Sequence, residues 1–373
     1  MPEKTKENIF TKFLRACPTA CLILFAFGLI SAFTHIMAII SPAFADFVTQ
    51  SIGAAFRFVL AKLTGWIPFS LAEMIIILLP LILVFLIVFG IRIVKKEDSK
   101  IYVRYVCILL SIVMTFYSLF VFTLGTSYHG RTLYEKLGVE KPEYEDPSDL
   151  LALSEYLRDR VNECAEDVDF DPEKGSVMPY SRAKLNELLN DACIKASEKY
   201  SFISPLRSSF KDVMLSVPMT YTHISGVYTY YTGESNLNTN FPDYTLPYTA
   251  AHELSHQRGI AREDEANFVA YLICMESDDN YIRYSAYLNL LEYVQSALRK
   301  ADKDLYRSFY RTLGRKISIE YTAYDNFFES YRENTAAKVS GAVNDIYLQS
   351  QGQSAGTLSY SLVVGLAIAY IDY

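Results

Sequence analysis

Three stretches in the first third of the chain are longer and more apolar than a water-soluble core requires. They lie at about 18–40 (PTACLILFAFGLISAFTHIMAII), about 70–94 (SLAEMIIILLPLILVFLIVFGIRIV) and about 101–124 (IYVRYVCILLSIVMTFYSLFVFTL). At about 1.5 Å of rise per residue, each is long enough to cross a hydrocarbon layer of roughly 30 Å as a helix. Lipid offers the backbone no hydrogen-bond partners, so helices are expected, with Pro80 kinking the second without breaking it. The first stretch is too long for a secretory signal and has no small-residue cleavage site close behind it. Ala43–Phe44–Ala45 is only an imitation of one. Residues 44–66 mix apolar side chains with Arg57 and Lys62. They read as an amphipathic segment on the outer interface, with Trp66 at headgroup level.

Orientation follows from the positive charges. Lys4, Lys6, Lys12 and Arg15 precede the first stretch, and Arg92, Lys95, Lys96, Lys100 and Arg104 cluster around the second connection. Three crossings put both groups on one side, and that side is expected to be the cytoplasm. The chain then divides into a membrane anchor, 1–124, with three transmembrane helices, and an extracytoplasmic domain, 125–373. Hydrophobic residues make up 51% of the chain and charged residues 21%, a mixture that suits an anchor joined to a water-facing part. The net charge of −7 and the lack of a basic run in the later part argue against nucleic acid as a partner. Membrane lipids are the expected surroundings of the first third.

The later part reads as mostly helical. Ser148 is expected to cap a helix at about 150–165, and a second helix is expected at about 181–200. ISGVYTYYTGESNLNT, ending at Thr239, is rich in β-branched and aromatic residues and reads as a short hairpin or pair of strands. Helical periodicity then resumes at about 247–258, 262–276, 280–299, 301–314 and 322–348. The apolar tail GTLSYSLVVGLAIAYIDY falls short of the roughly twenty residues a span needs, so a packed terminal helix is expected. Six cysteines form no C-x-x-C pair. A Cys164–Cys193 disulfide would need an oxidising compartment, and buried free thiols are the preferred reading.

AAHELSHQRGIAREDEANFVAYL carries the chemistry. His252 and His256 are one helical turn apart on one face, so both imidazoles can reach a single metal ion. Glu253 lies about 100° around the helix. It is placed to meet a water on that metal rather than the metal itself, the logic of H-E-x-x-H hydrolysis with one zinc ion. Gly259 can end this helix with a left-handed cap, and a new helix opens on Glu263, Asp264 and Glu265. A catalytic zinc needs a third protein ligand. Glu263 is favoured because Asn267 lies one turn below it, as an amide that could orient a histidine. Glu265 is held in reserve, and whichever acid is not used is expected on the solvated side.

LPYTAAHELSHQRGIAREDEANFVAYLIC, together with IPFSLAEM, YYTGESNLNT, RYSAYL and the SYSLVV tail, resembles a bacterial membrane family, the domain of unknown function 3810 family. The resemblance covers nearly the whole chain and implies a multi-pass protein of the bacterial cell membrane with inferred zinc peptidase activity. More broadly, H-E-x-x-H followed by E-x-x-A-N is similar to the gluzincin metallopeptidases. That likeness implies a zincin-like domain with Glu263 completing the zinc site and Ala266 and Asn267 beside it. The interval from His256 to Glu263 is much shorter than in most gluzincins, and Arg262 stands where a metzincin would carry its third histidine.

The fold expected is therefore a membrane-anchored, mainly α protein with a small β hairpin or sheet. The activity expected is zinc-dependent cleavage of a peptide or protein substrate, with Glu253 as general base. A non-catalytic metal-binding sensor or scaffold, or a cell-wall peptide amidase, is the alternative. The segment 230–239 is expected to form an edge strand that binds substrate by strand addition. Arg258, Arg283, Tyr284 and Tyr287 are candidates to stabilise an oxyanion. His35 is expected to be a polar group in helix packing and His129 to lie at the membrane interface, while His223 reads as structural, with a place in the site as the alternative.

Overall fold

A computed structural model describes residues 13, 16–96, 98–143, 146–332 and 334–373. The early charges Lys4, Lys6, Lys12 and Arg15 lie outside the described residues. The first third holds α1 (Thr19–Ile40), α2 (Pro42–Val48), a π turn (Thr49–Gly53), α3 (Ala54–Gly65), α4 (Leu71–Val94) and α5 (Ser99–Thr123). Helices α1 and α5 pack side by side. Ser31 donates to Ser118 (2.8 Å), and His35 meets the Tyr117 hydroxyl at 3.2 Å. Helix α4 continues through Pro80 and is almost wholly exposed, as a lipid-facing helix would be.

Among the described residues, four helical segments are long and apolar enough to cross a membrane, one more than the sequence reading counts. The addition is 42–65, where α2, the π turn and α3 join without a break. Ser41 starts it by accepting from the Phe44 amide, and Pro42 takes the first position. Its mean hydropathy, 1.2, is well below the 2.3 to 3.3 of the other three. Its polar groups bind neighbours along its length. Thr49 meets Thr126 and Ser127 at 3.2 and 3.3 Å. The buried Arg57 donates to the carbonyls of Thr123 (3.1 Å) and Thr49 (2.8 Å), and Lys62 donates to the Arg207 carbonyl. The segment therefore lies between one end of α5 and the later part of the chain.

A 3-10 turn (Gly125–His129) leads into α6 (Leu133–Leu137), α7 (Pro147–Cys164), the β1–β2 hairpin (Phe170–Asp171, Gly175–Ser176) and α8 (Arg182–Lys199). Asp146, not Ser148, caps α7, because Pro147 occupies the first helical position and the Asp146 carboxylate accepts from the Ser148 amide. Next come β3 (Phe210–Asp212), α9 (Ser216–Thr220), β4 (Gly226–Thr229), β5 (Glu234–Leu237), α10 (Thr245–Gln257), α11 (Glu263–Met275), α12 (Asn280–Ala301) and α13 (Lys303–Tyr310). The periodic run expected at 322–348 is two helices, α14 (Arg315–Glu329) and α15 (Thr335–Ser350). A 3-10 turn (Gly356–Leu362) and α16 (Val363–Tyr370) complete the fold. Residues 363–367 of α16 are buried against the domain core, as the short apolar tail predicts. All six cysteines, each among the described residues, are free thiols.

The sheet order is β3–β5–β4, with β3 parallel and β4 antiparallel to β5. Strand β5 is therefore central and β4 (226–229) is an edge. The expected edge at 230–239 is displaced because the unforeseen β3 covers the other side of β5. Asn236 and Asn238 are buried and bind the Val227 and Ile224 carbonyls, so they pin β4 and its approach.

Two carboxylates lock this sheet to the anchor. Glu234 accepts from the Leu71 and Ala72 amides (3.1 and 2.9 Å) at the positive end of α4, and from Lys211 Nζ at 2.5 Å. Reciprocally, Glu73 accepts from the Met214 and Leu215 amides (2.9 and 2.7 Å). The Lys211–Glu234 pair is buried. Lys211→Ala is expected to destabilise the protein by about 3–5 kcal/mol, because it strands a buried carboxylate. Lys199→Ala, which breaks the exposed Lys199–Glu276 pair, is expected to cost less than about 1 kcal/mol. Denaturant unfolding of the purified proteins reads both.

Candidate metal centre

Helix α10 is buried along its whole length, which is unusual for a segment with two histidines and a glutamate. It ends at Arg258, and Gly259 takes φ +95°, a conformation that favours glycine. A Cβ at Gly259 would also lie 2.7 Å from the Arg57 guanidinium, so the turn admits no larger residue. The Ile260 amide reaches back to the Ser255 carbonyl, and the chain re-enters α11 at Glu263. This tight reversal folds the first turn of α11 onto the last turns of α10.

The result is a three-residue cluster. His252 and His256 Nε2 are 3.0 Å apart, and Glu263 Oε2 lies 3.3 and 3.5 Å from them. All three side chains are buried, and their ligand atoms fall within 4.8 Å of one another. His256 Nδ1 faces the Ile260 carbonyl at 2.7 Å. A carbonyl only accepts, so Nδ1 carries a proton and Nε2 is the nitrogen turned to the cluster, free to ligate a metal once it gives up its own proton. Glu263 Oε2 is buried with no hydrogen-bond partner. Two imidazole nitrogens and one carboxylate oxygen form a donor set that suits zinc and leaves a coordination position open.

The three groups also shift one another's protonation. Burial alone would lower the His256 pKa, but the Glu263 carboxylate outweighs it and holds the imidazole up at about 9. Burial would raise the Glu263 carboxyl, yet His256 and His252 hold it well below the usual range. Glu253 sits beside them, pushed up by burial and only partly drawn back by the histidines. Its Oε2 has no partner, and the Tyr228 amide of β4 donates to its carboxylate. Gly226 is required here, since a Cβ would lie 2.6 Å from Glu253 Oε1.

His252 and Glu253 open onto a cavity of about 700 Å³. Gly226, Thr249, Glu292, Asn344 and Tyr360 are among its walls. Among the described residues, no lysine or arginine lines it. Glu292 accepts from the Tyr244 hydroxyl (2.7 Å), and burial pushes its carboxyl up to about 7.

The profile of a family described as a protein of unknown function (DUF3810) matches residues 49–368. The chain belongs to the DUF3810 family. The match runs from the π turn beside α2 into α16 and spans the segment that carries His252, His256 and Glu263. No curated protein and no solved structure matches the chain.

This DUF3810 member departs from several sequence expectations around the cluster. Glu265 accepts from the Leu133 amide and Arg262 (both 2.8 Å), and it is buried rather than solvated. Asp264 turns to a second cavity, and burial and Glu265 push its carboxyl up to about 6. Asn267 orients no histidine; its amide holds the Tyr360 carbonyl at 3.1 Å. Arg258, Arg283, Tyr284 and Tyr287 do not line the cavity. Arg258 binds the Leu254 and Leu206 carbonyls, Arg283 lies near Asp278, Tyr284 donates to Glu320 and Tyr287 packs on Tyr271. Helical phase turns each of them away from the metal cluster.

Tyr360 lines the cavity beside the cluster. Its ring stacks on His252 (centroids 6.4 Å apart, 22° between planes). Burial, then Glu263, pushes its phenol well up, which keeps it a neutral donor. The tail motif SYSLVV contained it, but nothing local tied that tyrosine to a helix so far upstream. His223 lines the cavity mouth and bonds the Tyr331 carbonyl at 2.7 Å, while His35 and His129 pack together near the end of α5.

Proposed function

We propose that this protein is a membrane-anchored zinc peptidase of zincin-like type, with its catalytic domain outside the cytoplasm. The observation that carries this reading is the buried convergence of His252, His256 and Glu263, with Glu253, whose Oε2 is buried without a partner, opening onto the same cavity. These three residues would hold the zinc ion. When bound, zinc supplies Lewis acidity that makes a water more acidic and polarises a peptide carbonyl. Glu253 takes the proton of the attacking water at a carboxylate oxygen and passes it to the leaving amine. The Tyr228 amide orients Glu253, and the Tyr360 hydroxyl donates to the carbonyl oxygen as negative charge develops on it. Strand β4 offers an edge beside Glu253 along which an extended peptide can pair.

A metal-holding scaffold would have no use for Glu253, whose buried, unpartnered Oε2 is costly. The anchor reading takes α1, α4 and α5 as spans, with 42–65 on the outer surface where its polar groups meet the domain. The basic residues of the α4–α5 connection then face the cytoplasm. Metal analysis, combined with peptide profiling of membranes bearing wild-type protein or Glu253→Gln, tests the proposal. Absence of any product that depends on Glu253 would overturn it. Tyr360→Phe is expected to lower kcat by about 100-fold with metal content unchanged, as loss of one oxyanion donor does. An unchanged kcat would remove Tyr360 from the mechanism.

A further inference from the structure

Helix α15 is a wall with two unlike faces. Ala337, Ser340, Gly341 and Asn344 line the cavity that holds His252 and Glu253. Val339, Val343 and Ile346, at i, i+4 and i+7, form a stripe turned away from it and are 58%, 62% and 69% exposed. The only charges on α15 are Lys338 and Asp345, and Asp345 is turned into the fold, accepting from the Thr357 amide. Leu358 and Leu362 extend the exposed apolar surface into the following 3-10 turn.

Both ends of α15 are tied to elements at the membrane anchor. At its C-terminal end the Tyr347 hydroxyl meets that of Tyr128, just past the end of α5 (3.2 Å). Just before its N-terminal end, Tyr331 packs on Tyr221 (4.9 Å between ring centroids), and its carbonyl bonds His223. That region is itself held to the first turn of α4, because Glu73 grips the Met214 and Leu215 amides. Here a second exposed apolar group gathers: Met214, Leu215, Val217, Tyr221, Ile224 and Val227. Two apolar patches thus flank one cavity mouth, each continuous with the end of an apolar helix.

We propose that the α15 stripe rests in the lipid of the same membrane that holds the anchor, so that α15 is a lipid-backed lid over the metal cavity. An amphipathic helix with one charge at its margin sinks by about 5–10 Å into the headgroup and acyl boundary. A lysine such as Lys338 snorkels from that depth. The cavity then opens at the bilayer surface rather than into bulk solvent. This surface is independent of whether the metal site cleaves anything.

The chain has a single tryptophan, Trp66, so fluorescence can test the proposal directly. In a Trp66→Phe background, Val339→Trp, Val343→Trp and Ile346→Trp would be placed one at a time in the full-length protein in lipid nanodiscs. These positions are exposed, so folding is preserved, and an unchanged elution profile checks it. Lipid brominated near the headgroup is expected to quench each emission by about half or more, and lipid brominated at the chain end to quench it less. Tyr310→Trp, an exposed aromatic outside both patches, is expected to stay unquenched. Unquenched, red-shifted emission at 339, 343 and 346 would place the stripe in water and overturn the proposal. Unquenched, blue-shifted emission would place it against protein, such as a second copy of the chain, and would overturn it equally.

Discussion

Glu253→Gln is expected to keep its metal and lose hydrolysis by about 1000-fold, the middle of the range for a general base. Glutamine preserves the shape of the side chain and can still accept from the Tyr228 amide through its carbonyl oxygen, so the fold and the three-residue cluster stay intact. It cannot take a proton at neutral pH. Burial pushes the Glu253 carboxyl upward, towards the working range of a base, and that tuning disappears with the amide. The measurement pairs metal content with turnover of whichever peptide the membrane profiling identifies. A Glu253→Gln protein that cleaves as fast as wild type would sink the mechanism, whatever its metal content.

The second large effect separates two acids that stand two residues apart. Glu263→Ala is expected to abolish stoichiometric zinc binding, as is the double change His252→Ala with His256→Ala. Each removes part of the one three-residue donor set found among the described residues. Glu265→Ala is expected to retain zinc and instead destabilise the fold by about 1.5–3 kcal/mol. It loses charge-assisted bonds to the Leu133 amide and Arg262. Arg262 also holds the Tyr128 and Gly130 carbonyls, so the damage spreads to the chain just beyond α5. Metal analysis by mass spectrometry and denaturant unfolding, run on both variants, give opposite patterns. Zinc retained in Glu263→Ala and lost in Glu265→Ala would move the ligand assignment.

Much of the cluster was legible because its geometry is local. Two histidines four apart face the same way on any helix, and a glycine three residues past the second can turn the chain. That Glu263 rather than Glu265 would face the histidines was also legible, though for a reason the structure replaces. Asn267 was expected to steer a histidine and instead holds the Tyr360 backbone. The two glutamates differ because α11 re-enters at a set phase. One carboxylate faces α10, and the other faces the chain leading into α6.

The anchor was partly legible for the same kind of reason. Long apolar runs declare themselves by length, and three of the four segments long and apolar enough to span among the described residues were found that way. Segment 42–65 is harder to assign because its arginine and lysine read as interfacial while its length permits a crossing. Only its partners, Thr123, Thr126, Ser127 and Arg207, show which neighbours those polar groups meet.

By itself, the sequence determined the helices, the apolar segments and the spacing of His252, Glu253 and His256. Periodicity acts within one or two turns and needs no distant partner. The tertiary structure alone decided which tyrosine stacks on His252, which strand forms the edge beside Glu253, and that Lys211 and Glu234 pair beneath α4. Those contacts join segments far apart in the chain. Side-chain packing chooses among many candidates of the same type, and no local pattern distinguishes Tyr360 from Tyr284 or β4 from β5.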